Sequence, residues 1–343
     1  MANDEPIPDT YALEIDKLRL YDNTRLSDFR RCPRFFFFRH IMGWVMSGER
    51  RAPLVFGGAW HAAMDILWGS VAEGETRKQT LASSYAAFVA YWTENGMPHP
   101  SEIDLALAEE MSPRTPMNAK EMLEGYYDKR FRSIREVEIL EIERPFAVPL
   151  TPDDPTLFYI GRIDKVVKPS PSSVRGIEHK TTTSMRLQNK VHKISGLFAE
   201  SFSPNSQVDG YLYALHLLFP EEKGVDVWVD AALVHKVGED FMFIPVDRQI
   251  QHLDSWLWEV HYWVDSIERQ KENLATASSE DRYLAAFPKD TRSCFDFNTA
   301  CPYLGLCKAR SNPLTWGAEA PGGYKEEKWD PLSHIGTPKE LVG

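Results

Sequence analysis

The chain has 343 residues, 43% of them hydrophobic and 12% aromatic, and carries 39 Lys plus Arg against 50 Asp plus Glu, a formal net charge of −11. That much apolar material can bury a sizeable core, which excludes wholesale disorder. The acidic balance excludes non-specific coating of nucleic acid, since phosphate is repelled overall, and four Cys are too few for a disulfide scaffold of this length.

Residues 1–23 read as a polar leader without an apolar segment, and no run reaches the roughly 20 apolar residues that span a bilayer. Both features predict a soluble, cytoplasmic protein with reduced thiols. Ser27 is expected to cap a short helix that Pro33 interrupts. Apolar residues then recur at helical spacing from Phe56 to about Val71, with helices also expected over 77–94 and 117–135. The prolines at 98, 100, 113 and 116 surround only a short helical piece. Residues 24–135 thus read as an N-terminal helical lobe holding Cys32 and His61. The pattern changes at 137–149, 157–168 and 174–181, three β-branched runs expected to form a meander. Ser203-Pro204 signals a helix to about Leu218, followed by strands near 225–236 and 240–247 and a long helix over 248–275. Residues 136–287 form the expected core, 288–310 a cysteine-rich segment and 311–343 an irregular tail. The fold class is mixed α/β (α+β), a core sheet flanked by helices.

Asp164 lies in Gly161-Arg162-Ile163-Asp164 on the second meander strand, and Glu178 and Lys180 flank His179 on the third. Side chains alternate along a strand, so Glu178 and Lys180 share one face and His179 takes the other. Alone, such a pair is well read as an ordinary ion pair. Ile163, Val166, Val167, Val174 and Ile177 make both strands largely buried, however, and buried charges are paired or bound to metal. Two carboxylates on adjacent strands offer hard oxygen donors for Mg2+ or Mn2+, and a neighbouring Lys suits a phosphate or a water to be activated. Gln207 and Tyr211 are four apart on a helix and share a face; the plainer reading is a core tyrosine and a solvated glutamine. His61 follows Gly57-Gly58 on an apolar helix, where a lone histidine is usually a core residue. Glu143 reads as an exposed strand carboxylate, with a ligand role the less favoured.

The order His61, Asp164, Glu178-His179-Lys180, Gln207, Tyr211 resembles the PD-(D/E)XK nuclease superfamily, and its Gln-x-x-x-Tyr pair and upstream His resemble the RecB-like branch, over roughly residues 24–310. The resemblance implies a restriction-endonuclease-like core. It implies one or two divalent cations, Mg2+ or Mn2+, held by His61, Asp164, Glu178 and the backbone carbonyl of His179. Lys180 is implied to position the attacking water, and Gln207 and Tyr211 to orient Lys180 or the scissile phosphate. The implied activity is in-line hydrolysis of DNA phosphodiesters, in a bacterial or phage setting of recombination, repair or CRISPR adaptation.

Cys32 stands alone upstream, while six and then five residues separate Cys294, Cys301 and Cys307. Incidental burial of small apolar thiols is one reading. Three cysteines within fourteen positions of irregular chain are not core patterning, and four thiolates suit Zn2+ or an iron–sulfur cluster. The close pairs usual for Zn2+ are missing. One early and three late cysteines resemble the iron–sulfur subgroup of RecB-like nucleases, which includes the AddB nuclease domain and CRISPR-associated adaptation exonucleases. That implies a [4Fe–4S] cluster on Cys32, Cys294, Cys301 and Cys307, stapling the chain ends. The six-residue gap departs from the two-residue gap of many members.

Two local basic patches are the expected contacts for single-stranded DNA or duplex ends. One holds seven Arg between Arg25 and Arg51, Arg30, Arg31 and Arg34 among them; the other holds Arg186, Lys190 and Lys193 after Lys180, with no acid between. The Phe35–Phe38 run suits base stacking, but core packing is preferred for most of its rings. The leading expectation is a metal-dependent DNA exonuclease. Alternatives are a structure-specific endonuclease using the same residues and a non-cleaving DNA-binding subunit of a larger complex. No phosphate-binding G-x-x-x-x-G-K motif is present, so any helicase activity is expected from a recombination or adaptation partner.

Overall fold

The computed structural model describes residues 18–48, 52–296 and 299–331. Most of the expected leader, Arg50 and Arg51 of the first basic patch, and the end of the expected tail lie outside the described residues. The chain opens with β1 (Arg19–Tyr21), α1 (Asn23–Arg31) and α2 (Pro33–Phe36), which runs into a π-helical turn (Phe37–Ile41) and β2 (Trp44–Met46). Four helices follow: α3 (Ala52–Glu73), α4 (Arg77–Glu94), α5 (Leu105–Met111) and α6 (Pro116–Arg135). Then come β3 (Glu138–Pro149), β4 (Leu157–Ser170) and β5 (Ser173–Thr182), and a small hairpin of β6 (Met185–Gln188) and β7 (Val191–Ile194). The chain continues through α7 (Gly196–Glu200), α8 (Ser206–Leu218), β8 (Gly224–Leu233), β9 (Phe241–Val246) and α9 (Ile250–Ala275). It ends with β10 (Phe295–Asp296), β11 (Thr299–Ala300), α10 (Leu304–Ala309) and β12 (Tyr324–Glu326).

Local chemistry sets several of these boundaries. Asp22, not the expected Ser27, caps α1, accepting the Arg25 N–H at 2.7 Å. Ser27 sits inside that helix. Thr76 and Gln79 close a capping box on α4. Asn205 accepts the N–H groups of Gln207 and Val208, so α8 starts just beyond the Ser203-Pro204 signal. The β6–β7 turn carries left-handed backbone at Asn189 and Lys190, φ 49° and 65°, the two-residue geometry that tight hairpins favour.

The central six-stranded sheet runs β1-β4-β5-β8-β9, with β3 on the other edge of β4. The β3–β4–β5 meander is antiparallel as expected, β5 pairs β8 in parallel, and β8 pairs β9 antiparallel. The parallel pair requires a crossover, which α7 and α8 supply. One apolar cluster joins α1, α2, α8 and α9 to the sheet through Phe29, Leu212, Leu215, Trp256, Val227 and Val229. The other joins α3, α4 and α6 through Phe56, Trp60, Trp92 and Tyr126 to Val167, Ile177 and Ala232. The helices expected as one N-terminal lobe are thus divided between opposite faces. Phe36, Phe37 and Phe38 are fully buried, so these rings serve the core, each contributing about 1.5–3 kcal/mol. Early and late described segments meet: β12 pairs β2, and the Tyr303 hydroxyl donates to the Trp44 carbonyl at 2.5 Å. Among the described residues no helix is long and apolar enough to cross a membrane.

Candidate active site

On β5, alternation places Glu178 and Lys180 on the side of α8. Lys180 Nζ bonds Glu178 Oε1, and Gln207 Nε2 donates to the same oxygen at 3.0 Å. Gln207 also donates to the Tyr211 hydroxyl at 2.9 Å, so the i, i+4 pair on α8 faces the sheet as one unit. The solvated-glutamine reading is thereby replaced; Tyr211 is both buried and bonded. Glu178 is 2% exposed, and its second oxygen, Oε2, is buried without a hydrogen-bond partner.

Asp164 on β4 is likewise buried. Its Oδ2 accepts the backbone N–H of His179 at 2.7 Å and meets His61 Nδ1 at 3.2 Å. His61 comes from α3, so one helix and two strands converge. Glu143 on β3 joins them: donor atoms of His61, Glu143 and Asp164 all lie within 4.8 Å of one another. Sequence reasoning had ranked Glu143 low. Strand parity alone does not reveal it: the register pairs Ile142 with Lys165 and Arg144 with Ile163, which sets Glu143 across from Asp164.

The electrostatics follow from crowding anions in a place shielded from water. Burial pushes the Glu178 carboxyl up, and Asp164 adds to the push. Burial also opposes ionisation of Asp164, but the charge and hydrogen bond of His61 outweigh it and hold that carboxyl below its ordinary value. Burial opposes the charge on His61, yet Asp164 prevails and raises the imidazole to about 9. Glu143 is pushed up by burial, then by Asp65 and Asp164. Lys180 is opposed by burial but raised on balance by Glu178. His61, Glu143 and Asp164 form a donor set that fits a hard divalent cation, and Glu178, whose carboxyl feels the charge of Asp164 and His61, keeps one buried oxygen unpartnered nearby.

Beneath the strand, the His179 ring points to the other face, packing near Trp68 and Tyr126. There the Tyr126 hydroxyl donates to Asp230 at 2.5 Å, Trp68 Nε1 donates to that hydroxyl at 2.9 Å, and Arg130 donates to Asp230 at 2.7 Å. Lys165, fully buried, bonds Asp65 at 2.5 Å, one turn of α3 beyond His61. Neither network was read from the sequence.

The four cysteines converge from both ends of the chain. Cys32 links α1 to α2, Cys294 ends a 3-10 turn, and Cys307 lies on α10. Cys301 N–H donates to the Cys294 carbonyl at 2.9 Å, and Asp290 N–H to Cys32 Sγ at 3.3 Å. Burial pushes the Cys307 thiol up to about 11, with Cys32 and Cys301 adding to the rise. Burial raises Cys301 too, with Cys32 and Cys294 contributing. Thiols that oppose one another's ionisation this way are a donor set of the right chemistry for a metal cluster.

The basic patches divide. Arg186 and Lys190 are exposed on the β6–β7 hairpin, and Lys193 bonds Asp240 at 2.8 Å. Arg30 borders a groove of about 850 Å³ with Asn205, Arg248 and His252. Arg31 pairs with Asp296 at 2.9 Å and covers the Phe35 ring. Arg34, expected on the DNA surface, is buried, and its guanidinium donates to backbone carbonyls of Phe287 and Ala286. It has no surface to offer a phosphate.

No curated protein matches the chain. A solved structure from Eubacterium rectale, provisionally named an exonuclease, is 12% identical and aligns over 76% of this chain and 83% of its own, with a TM-score of 0.44. A family model for the PD-(D/E)XK nuclease superfamily matches residues 23–308. That span includes the meander, the His61–Asp164–Glu143 group, Lys180, the Gln207–Tyr211 pair and all four cysteines, and the chain belongs to this superfamily.

Proposed function

We propose that this nuclease is a Mg2+- or Mn2+-dependent deoxyribonuclease of the RecB-like kind, an exonuclease acting on single strands or duplex ends in the cytoplasm. The observation that supports the metal assignment is the convergence of His61, Glu143 and Asp164 donor atoms within 4.8 Å of one another, with the unpartnered buried Glu178 Oε2 under the charge of Asp164 and His61. His61, Asp164, Glu178, Glu143 and the His179 carbonyl are the groups that would hold the cation. A divalent cation there supplies a lowered water pKa and neutralises charge developing on the phosphate. Lys180, whose charge Glu178 favours, acts as a fixed cation that orients the attacking water and the phosphate. Gln207 holds Glu178 and Tyr211 in register with it. Arg186 and Lys190, and at the groove Arg30, are the proposed phosphate contacts. The four cysteines are proposed to carry a [4Fe–4S] cluster with a structural role, joining the chain ends. Duplex unwinding is assigned to a partner motor.

The test is end-labelled linear DNA against circular DNA with Mn2+, comparing the wild type with Lys180→Ala. Linear DNA should be degraded and circular DNA spared, with the variant about 100-fold slower or worse. Cleavage of circles would favour an endonuclease, and equal rates in the variant would remove Lys180 from the chemistry. Tight DNA binding with no cleavage under any divalent metal would instead support a non-catalytic subunit.

A further inference from the structure

Arg34 presents a problem of buried charge. It lies two residues beyond Cys32 on α2 and is 3% exposed. Its Nε donates to the Phe287 carbonyl at 2.8 Å, and Nη2 reaches the carbonyls of Ala286 at 3.3 Å and Leu284 at 3.5 Å. Nη1 is buried with no partner at all. No carboxylate pairs with this guanidinium among the described residues. Carbonyl dipoles offset part of the cost of burying a cation, but they supply no countercharge, and an unpaired buried charge is strongly unfavourable. The Arg34 backbone N–H donates to the Pro288 carbonyl at 3.1 Å, which seats the residue on the segment that leads to Asp290. The same helix start brings Cys32 Sγ under the Asp290 N–H, so this corner of the cysteine site already directs hydrogen-bond donors at sulfur.

We propose that Arg34 is the buried countercharge of the four-cysteine site, its free Nη1 edge and its charge serving an anionic, thiolate-ligated iron–sulfur cluster. The inference rests on the cluster reading given above. It explains why an arginine is tolerated out of solvent against the carbonyls of Leu284, Ala286 and Phe287. A bound tetrathiolate cluster is net negative, and adding an electron makes it more so. A fixed cation therefore favours both retention of the cluster and its reduced form, because net charge and hydrogen bonds at sulfur set the potential. The plainer role, a clasp on the carbonyls of residues 284–287, needs the fork of donors and not the charge.

The experiment compares wild type, Arg34→Gln and Arg34→Lys, purified without oxygen. Iron and acid-labile sulfide are assayed, and the cluster is titrated reductively while its visible absorption is followed. In wild type, iron and sulfide should be stoichiometric. Arg34→Gln should retain less iron and shift the reduction equilibrium at least tenfold toward the oxidised cluster, which is 59 mV for a one-electron couple. Arg34→Lys keeps the charge, loses the fork, and should stay near the wild-type potential. A loaded Gln variant with wild-type potential overturns the proposal, as does a Lys variant displaced as far as the Gln variant. If only the Lys variant folds, and does so with a wild-type potential, the charge requirement stands. If neither folds, the clasp is the role and the proposal fails. A wild type without iron overturns the cluster reading itself, and this inference with it.

Discussion

Glu143 and Asp164 stand across from each other in the β3–β4 ladder, and Glu143 holds a left-handed backbone with φ of 56°. A non-glycine residue in that region costs about 1–2 kcal/mol, and such strain collects at functional sites. The Glu143 carboxylate lies within 4.8 Å of donor atoms of Asp164 and His61 and also accepts from Arg162 at 3.3 Å. Glu143→Gln should therefore weaken Mn2+ binding by about 10–100-fold, as losses around a metal site commonly do. Glu143→Gly should lose the same affinity yet be more stable than Glu143→Ala by about 1 kcal/mol, since glycine adopts this backbone freely. Metal titration calorimetry and denaturant melts of the three variants check both. Undiminished Mn2+ affinity in Glu143→Gln would return Glu143 to a structural role.

His61 gives the site a pH dependence whose direction can be worked out. Its folded value, about 9, lies above the ordinary 6.5, so in metal-free protein the charged His61 stabilises the fold fully below pH 6.5 and loses that contribution as pH rises through about 9. Asp164 is shifted the other way, so its contribution is present above 3.8 and lost as pH falls below that. A cation must displace the His61 proton. Metal affinity should therefore rise with pH, up to about tenfold per unit below pH 9, with proton release on binding. Calorimetry in buffers of different ionisation enthalpy measures that proton, and His61→Ala should bind metal weakly with this part of the slope gone. A wild-type affinity flat between pH 7 and 9 would exclude His61 as a ligand.

Much of this geometry was legible because strand parity is a strict code. A period of two puts Glu178 and Lys180 on one face and His179 on the other whatever the rest of the chain does. The helical spacing of Gln207 and Tyr211 is equally local. What escaped the sequence depends on partners far along the chain. Arg34 looks like a surface cation until the carbonyls of residues 284–287 close over it. Asp22 competes with Ser27 on equal propensity as the cap, and in the fold Asp22, directly after β1, takes the Arg25 N–H. The β6–β7 hairpin has only four residues a strand, too few for the Met185/Leu187 alternation to announce it, and a Lys in the left-handed second turn position is an uncommon turn residue.

The Arg130–Asp230 pair lies under His179 with its side chains almost entirely out of solvent, at 6% and 0% exposure. Asp230 also accepts from Tyr126, so two donors hold one carboxylate. Removing the cation alone strands a buried charge. Arg130→Met should destabilise the protein by about 3–5 kcal/mol, while Arg130→Met combined with Asp230→Leu should recover part of that loss. Urea melts of the single and double variants decide it. If the double variant is no more stable than the single, packing and not charge is what Arg130 supplies.

Gln207 bridges Glu178 and Tyr211, and the two variants that cut this bridge should differ. Tyr211→Phe keeps the ring in its buried position and removes an acceptor of the Gln207 amide, while Gln207 still donates to Glu178. Its activity should fall only a few-fold, in line with one neutral hydrogen bond of about 0.5–1.5 kcal/mol. Gln207→Leu removes the donor from a carboxylate already burdened by burial and by Asp164. Glu178 then relies on Lys180 alone, which draws Lys180 away from the phosphate it is proposed to face. A loss of about 10–100-fold, expressed in the rate at saturating metal, is expected, because misplacing a supporting group by an ångström is enough to cost that much. Excess Mn2+ should not restore Gln207→Leu. It should largely restore Glu143→Gln, whose defect is affinity. If Mn2+ rescues both to the same degree, Gln207 supports metal binding and not the alignment of Lys180.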